Sequence, residues 1–239
     1  MVKLIKAKEK HINWYNEFYK NGQTSFTSWY SFMLPELIKK IKNDSKILEL
    51  GCGQSKGLRY LVSHNYIKQE NIYGIDQSDV AIEFLRKKLP KANLEQGDIY
   101  SLKFNDDTFD YVLMMEVIEH LEDPLKVLKE VERVLKPNGE LIISFPNYIN
   151  LPWLIVRILS EKLNKPNWII LQPVDKIYTT INIINFCKKN GLKYQKCIGS
   201  NYYPPLLWKY ENKCITKLFN KLHLYHLTFH PILFFRKLL

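Results

Sequence analysis

The sequence predicts a doubly wound α/β fold. Three observations carry that expectation. Short apolar runs alternate with amphipathic stretches through residues 45–146, a glycine-rich turn (Gly51-Cys52-Gly53) joins the first apolar run to the stretch after it, and the run Phe109–Met115 leads into a helix with clear start and stop signals. Strands that alternate with helices imply a mostly parallel sheet covered on both faces. In such sheets, ligands bind beyond the carboxyl ends of the strands.

The elements follow in order. Pro35 opens a helix, Glu36–Lys42, and Asn43-Asp44 is the turn that ends it. Lys46–Leu50 reads as a buried strand. Gly57–Asn65 is the helix after it, with Leu58, Leu61 and Val62 on one face. Asn71–Ile75 is a second strand and Ser78–Leu89 a second helix, with Ser78 suited to its N-cap. Asn93–Gln96 is a short third strand and Phe109–Met115 a fourth. Asp123 then caps a helix whose first position suits Pro124, Leu125, Leu128, Val131, Val134 and Leu135 recur at helical spacing, and Lys136-Pro137-Asn138-Gly139 stops it. Glu140–Phe145 is the next strand. Leu151–Leu163, Thr179–Asn190 and Leu206–Leu222 read as helices; Leu192–Ile198 and Ile232–Arg236 read as strands.

Bulk properties bound the function. With 239 residues, 46% of them hydrophobic, the chain can bury a core of good size. The first ten residues mix Lys and Glu and lack the apolar stretch of a secretory signal. No apolar run is long enough for a membrane span. The four cysteines, Cys52, Cys187, Cys197 and Cys214, are scattered without a CxxC pair, which points away from a disulfide framework or structural zinc and toward a cytoplasmic protein. The net charge of +11 favours anionic partners, although a lysine-rich composition explains it equally.

The strongest signal is Ile47-Leu48-Glu49-Leu50-Gly51-Cys52-Gly53-Gln54-Ser55-Lys56-Gly57. Glycines permit a tight turn and a close backbone approach to a ligand, and the helix that follows offers free N–H groups. Alone, the turn also fits a plain strand-to-helix connection. Tyr73-Gly74-Ile75-Asp76 places an acid at the end of the second strand, 25 residues beyond Gly51, where doubly wound folds bind ribose hydroxyls. Gln96-Gly97-Asp98-Ile99 places another after the third strand, suited to an exocyclic amine such as that of adenine.

Taken together, Glu49-Leu-Gly-Cys-Gly53, Gly74-Ile-Asp76, Gly97-Asp98-Ile99, Phe109-Asp110 to Leu121 and Leu135-Lys-Pro-Asn-Gly139 resemble, in order and spacing, the class I S-adenosylmethionine-dependent methyltransferases. The match covers about residues 45–146. The resemblance implies a Rossmann-like sheet of seven strands with an antiparallel last strand, for which Ile232–Arg236 is the candidate. It implies that Glu49, Gly51, Cys52 and Gly53 lie against the methionine half of S-adenosylmethionine, that Asp76 and Gln77 hold the ribose, that Asp98 and Ile99 hold the adenine, and that Met115 lines the cofactor site. Ser55 stands where many members have a third glycine. The dinucleotide fingerprint of nicotinamide enzymes fits less well, because its third glycine position is Lys56. The expected organisation is one domain over 1–239: a helical cap (1–44), a cofactor-binding core (45–146), and an acceptor lid with closing strands (147–239).

Met114-Met115-Glu116-Val117-Ile118-Glu119-His120-Leu121 follows the fourth strand and is expected near the donated methyl group. His120 is the natural general base. If the segment is helical, Glu116, Glu119 and His120 share one face and can hold a divalent cation such as Mg2+. Similar segments occur in ubiquinone-pathway O-methyltransferases and in small-RNA 2′-O-methyltransferases. The RNA enzymes' further downstream histidine has no counterpart here, although Asp175 offers an oxygen in that stretch.

The acceptor is least determined. Trp14, Trp29, Tyr148, Trp153, Tyr178, Tyr202, Tyr203 and Trp208 fall in the expected cap and lid and suit either packing or an apolar pocket. The apolar run from Leu151 and the tail Phe229–Leu239, with Phe234, Phe235, Arg236 and Lys237, suit peripheral contact with an anionic membrane or ordinary burial. The leading expectation is methylation of a small molecule at oxygen. RNA methylation and non-catalytic cofactor binding are the alternatives.

Overall fold

The computed structural model describes residues 12–21, 30–148, 150–162, 176–200, 213–224 and 227–238. Seven strands form one sheet: β1 (Ile47–Leu50), β2 (Ile72–Asp76), β3 (Asn93–Gln96), β4 (Phe109–Met115), β5 (Leu135–Ser144), β6 (Leu192–Ser200) and β7 (His230–Lys237). Their order is β3-β2-β1-β4-β5-β7-β6. The pairs β1–β2, β1–β4, β2–β3 and β4–β5 are parallel, and β7 runs antiparallel to both neighbours. The expected antiparallel closing strand is therefore present. Strand order reverses at β1, where β2 and β4 pair on its two sides, so the crevice of a doubly wound fold opens beyond Leu50.

Alternation along the strands explains the two-sided core. Val112 and Met114 enter one apolar cluster and Leu113 and Met115 the other; Leu233 and Phe235 are likewise divided from Ile232 and Phe234. A strand buried on both faces reads as a continuous apolar run, as Val112–Met115 does, while Asp110 near the start of β4 accepts from Lys46 N–H and Lys136 Nζ. Residues 12–20 form helix α1. Helices α2 (Tyr30–Ile38), α3 (Lys56–Ser63) and α4 (Asp79–Lys88) pack Met33, Leu37, Leu58, Leu61, Ile82 and Leu85 on one face. Helices α5 (Pro124–Val134) and α7 (Thr180–Lys189) pack Val127, Leu128, Val131, Ile183 and Cys187 on the other. Helices α6 (Leu151–Lys162) and α8 (Lys213–Lys221) follow β5 and β6.

The helix starts follow local chemistry. The Ser78 side chain accepts from Ala81 N–H and the Asp123 side chain from Lys126 N–H, with Pro124 at the first turn. Thr179 and Asn182 form a capping box at the start of α7.

The bounds of α2 and the start of β5 differ most from expectation. Helix α2 includes Pro35 rather than beginning there, because Tyr30, Met33 and Leu34 already bury a helical face. Lys136–Gly139 continues into β5 across a register shift opposite Phe109 and Tyr111, with Asn138 at φ +65°. The first part of the expected helix Leu206–Leu222, together with Trp29, Asp175, Tyr202, Tyr203 and Trp208, lies outside the described residues.

Candidate functional site

The turn after β1 is held in place from several sides. Gly51 and Gly53 have φ of +63° and +49°, conformations that favour glycine. Their neighbours crowd any side chain: a Cβ would fall 2.6 Å from Val117 Cγ2 at Gly51 and 2.3 Å from Tyr19 Oη at Gly53, so those side chains would have to move. Cys52 N–H donates to Ile75 O at 3.0 Å, and Gly53 N–H donates to Asp76 Oδ2 at 2.8 Å. The turn is thus tied to the end of β2.

Ser55, the departure noted in the sequence, has a local task. Its Oγ accepts from Leu58 N–H at 3.0 Å, capping α3, and donates to Glu49 Oε2 at 2.5 Å. Tyr30 Oη donates to Glu49 Oε1 at 3.2 Å. Burial pushes the Glu49 carboxyl up to about 7 against the pull of these two donors. Glu49 therefore braces the underside of the turn, joining α2, β1 and the start of α3.

Asp76 is buried at the end of β2 and accepts at Oδ1 from Ser78 N–H at 2.8 Å as well as from Gly53. Burial raises its pKa, and the Ser78 and Gly53 N–H groups oppose the rise. Each carboxylate oxygen retains acceptor capacity beyond these bonds. Asp76 pairs in register with Gln96, so Asp98 follows two residues beyond that partner at the neighbouring strand end. Asp98 is exposed and accepts from Tyr100 N–H at 3.0 Å. Gln77 is half-buried, its carbonyl accepting from Gln96 Nε2 at 3.0 Å. Ile99 packs half-buried against the core, and Met115 is buried.

Helix α1 lies across these strand ends. Tyr19 sits on Gly53, Ser78 Oγ donates to Asn16 Oδ1 at 2.5 Å, and the Tyr15 ring lies edge-on to the His120 ring at 6.4 Å. Burial, with the Asp76 charge nearby, holds the Tyr19 hydroxyl well above its ordinary pKa. A nucleoside that reaches Asp76 must enter beneath Tyr19 or displace it.

Beyond β4, the expected helical face is not formed. Glu116 takes φ +56°, and Ile118–His120 is a single 3-10 turn. The i, i+3, i+4 convergence of Glu116, Glu119 and His120 requires continuous α-helix, which this backbone does not supply. The carboxylates instead turn to separate partners. Glu116 Oε1 accepts from Ser144 Oγ at 2.6 Å, and its Oε2 lies 3.4 Å from His230 Nε2. Glu119 Oε1 lies 3.4 Å from His120 Nε2, and Glu119 O accepts from Lys176 N–H at 2.8 Å. Among the described residues no group of three His, Cys, Asp or Glu side chains stands where it can hold a metal ion. The residues named for Mg2+ do not fit that ion.

His230 was not singled out in the sequence. It opens β7, is fully enclosed, and burial pushes its imidazole down to about 3, so it stands neutral beside Glu116. Ser144 and the α1 residues Tyr15, Asn16 and Tyr19 were also missed as neighbours of the site. Only the i, i+4 spacing of Tyr15 and Tyr19 hinted that one helical face carries both rings. The other contacts join residues far apart in the chain.

Comparisons with known proteins find related sequences and a similar fold. The sequence pattern of the family described as "Methyltransferase domain" matches residues 48–143, which run from β1 through most of β5. An uncharacterized methyltransferase of Schizosaccharomyces pombe is 33% identical, the match covering 51% of this chain and 49% of that protein. The chain thus spans about half the length of this relative. A ubiquinone biosynthesis O-methyltransferase of Pasteurella multocida is 26% identical over 66% of this chain and 70% of the relative. A solved structure of a SAM-dependent methyltransferase from Thermotoga maritima is similar in fold, with a TM-score of 0.65 and 19% identity across 97% of this chain and 98% of that one.

Proposed function

We propose that this chain, whose residues 48–143 match a methyltransferase domain, is a class I S-adenosylmethionine-dependent methyltransferase that transfers a methyl group to an oxygen of a small-molecule acceptor. The observation that carries the reading is the Gly53–Asp76 hydrogen bond, which places a glycine turn and an acid side by side at the strand-order reversal. Bound S-adenosylmethionine supplies a methyl group already activated on a sulfonium. The protein's own residues need only bind, align, exclude water and take a proton.

In this reading Asp76, with Gln77, holds the ribose, Asp98 and Ile99 border the adenine, and Gly51, Cys52, Gly53 and Met115 line the methionine half. Glu49 acts from below the turn by bracing it. His120 is the base that takes the acceptor hydroxyl's proton, with Glu119 beside its Nε2 as the orienting carboxylate. Glu116, held by Ser144 and facing His230, stands at the same edge as an acceptor-side group. Among the described residues after β5, Tyr148, Trp153 and Phe229 belong to the acceptor wall. The oxygen preference is supported by a histidine base beside a carboxylate at the β4 edge, and by the similarity to the ubiquinone-pathway relative.

The test is a methyl-transfer screen with labelled donor against fractionated cell extract, using the native protein and His120→Gln. Label in a small, organic-extractable product, lost with His120→Gln while S-adenosylhomocysteine still binds, supports the reading. Label in ribonuclease-sensitive material moves the acceptor to RNA. Binding of a nicotinamide dinucleotide in place of S-adenosylhomocysteine overturns the cofactor.

A further inference from the structure

We propose that α6, α8 and the segment 227–229 form a docking face for an anionic membrane surface, which presents the carboxyl edge of the sheet to an acceptor embedded in lipid. Ile155, Ile158, Leu159, Leu218, Leu222 and Leu227 are each between 39% and 56% exposed. Ile155, Ile158 and Leu159 fall at i, i+3, i+4 on α6, and Leu218 of α8 stands four residues before Leu222 in the turn that follows it, so both places turn aliphatic side chains to solvent. On α8 the opposite side is anchored. Thr216 is fully buried, and Asn220 clamps Gly199, accepting from its N–H at 2.7 Å and donating to its carbonyl at 3.0 Å. That anchoring fixes Lys217, Leu218, Lys221 and Leu222 on the outside, all four exposed.

The pieces are joined. Asn150 Nδ2, at the entry to α6, donates to Leu227 O at 2.6 Å, and Trp153 stacks on Phe229 at 4.1 Å. His230 follows directly and faces Glu116 at 3.4 Å. The exposed aliphatic residues therefore border the acceptor side of the strand ends rather than a remote surface.

Charge names the occupant. The chain's net charge is +11, and residues 176–239 hold eleven Lys or Arg against a single acid, Glu211. On the face itself Lys217 and Lys221 of α8 and Lys162 at the end of α6 stand exposed, whereas Lys196, Arg236 and Lys237 pair elsewhere with Glu36, Glu140 and Asp107. Lysines attract an anionic surface, and aliphatic side chains between them gain by entering the headgroup–acyl boundary. Nucleic acid shares the charge preference but not the second one. Single-stranded RNA is gripped by aromatic rings that stack on bases, and leucine and isoleucine offer no such ring. No helix among the described residues is long and apolar enough to cross a membrane, so the contact is one of lying on the surface.

This inference deepens the proposed function, resting on it for the acceptor's chemistry alone. Vesicle binding requires no methyl transfer, so either can fail without the other. The experiment is co-sedimentation of the full chain with phosphatidylglycerol–phosphatidylcholine vesicles and with pure phosphatidylcholine vesicles, across a salt series. The variants are Lys217→Gln/Lys221→Gln and Leu218→Gln/Leu222→Gln, with thermal unfolding and S-adenosylhomocysteine binding as controls for folding. Expected is preferential binding to the anionic vesicles, weakened about tenfold or more by either pair of substitutions while both controls hold. The wild-type comparison between the two vesicle types stands even if a variant fails to fold. Absence of binding to anionic vesicles at low salt, equal binding to both compositions, or binding untouched in folded variants overturns the proposal. Tight binding to homopolymeric RNA without vesicle binding assigns the basic region to nucleic acid instead.

Discussion

Gly53 donates its backbone N–H to Asp76 Oδ2 at 2.8 Å, so the turn after β1 and the acid after β2 form one unit. The proposed ribose ligand is also a structural brace. Replacing Asp76 by Ala removes the acceptor for both Gly53 and Ser78 N–H groups. Loss of S-adenosylhomocysteine affinity by at least about tenfold is expected, together with about 1–3 kcal/mol of stability. Calorimetry of the ligand and chemical denaturation measure the two separately; unchanged affinity would remove Asp76 from the site.

Glu49 predicts a pH dependence of definite sign. Its folded pKa, about 7, exceeds its ordinary value of 4.5, so the native state holds the proton more tightly than the unfolded chain. The contribution is complete below about pH 4.5 and is lost as pH rises through about 7, of order 3 kcal/mol in all. Glu49→Gln imitates the protonated form and abolishes this dependence. The stability difference between wild type and variant should therefore change between pH 5 and 8, measured by urea unfolding at each pH. A difference that stays flat over that range would show that Glu49 is charged throughout.

His230 carries the opposite sign. Burial lowers its folded pKa to about 3 from 6.5, so the unfolded chain binds the proton first as pH falls. The stability is present above about pH 6.5 and erodes with acid through the folded pKa. Glu116 at 3.4 Å favours the protonated imidazole and lessens the loss. His230→Gln should reduce the acid sensitivity between pH 6 and 4, and Glu116→Gln should increase it. Unfolding midpoints for the three proteins over that range test the pair.

Gly53 and Tyr19 should be energetically coupled. An alanine methyl at Gly53 meets the Tyr19 hydroxyl and is strained at φ +49°. Gly53→Ala is expected to cost about 1–3 kcal/mol. Tyr19→Ala frees the space, so the double variant should lose at least about 0.5 kcal/mol less than the two singles added together. Strict additivity in a double-mutant cycle would mean that α1 does not rest on the turn.

The sequence by itself determined the alternation of strands and helices, the caps at Ser78 and Asp123, and the succession of Gly51–Gly53, Asp76 and Asp98. These are local properties: periodicity, capping chemistry and glycine's backbone freedom act over a few residues. It also carried the resemblance to a methyltransferase domain, matched over residues 48–143, through motifs whose spacing is kept within one chain. Tertiary structure alone decided what each side chain meets. Glu116, Glu119 and His120 are close in sequence, yet a positive φ at Glu116 and a 3-10 turn send Glu116 to Ser144 and His230, 28 and 114 residues onward. The placement of α1 over the strand ends and the emergence of the Lys217–Leu222 face likewise depend on long-range packing. Such contacts are selected by the global fold, and no local window of sequence contains both partners.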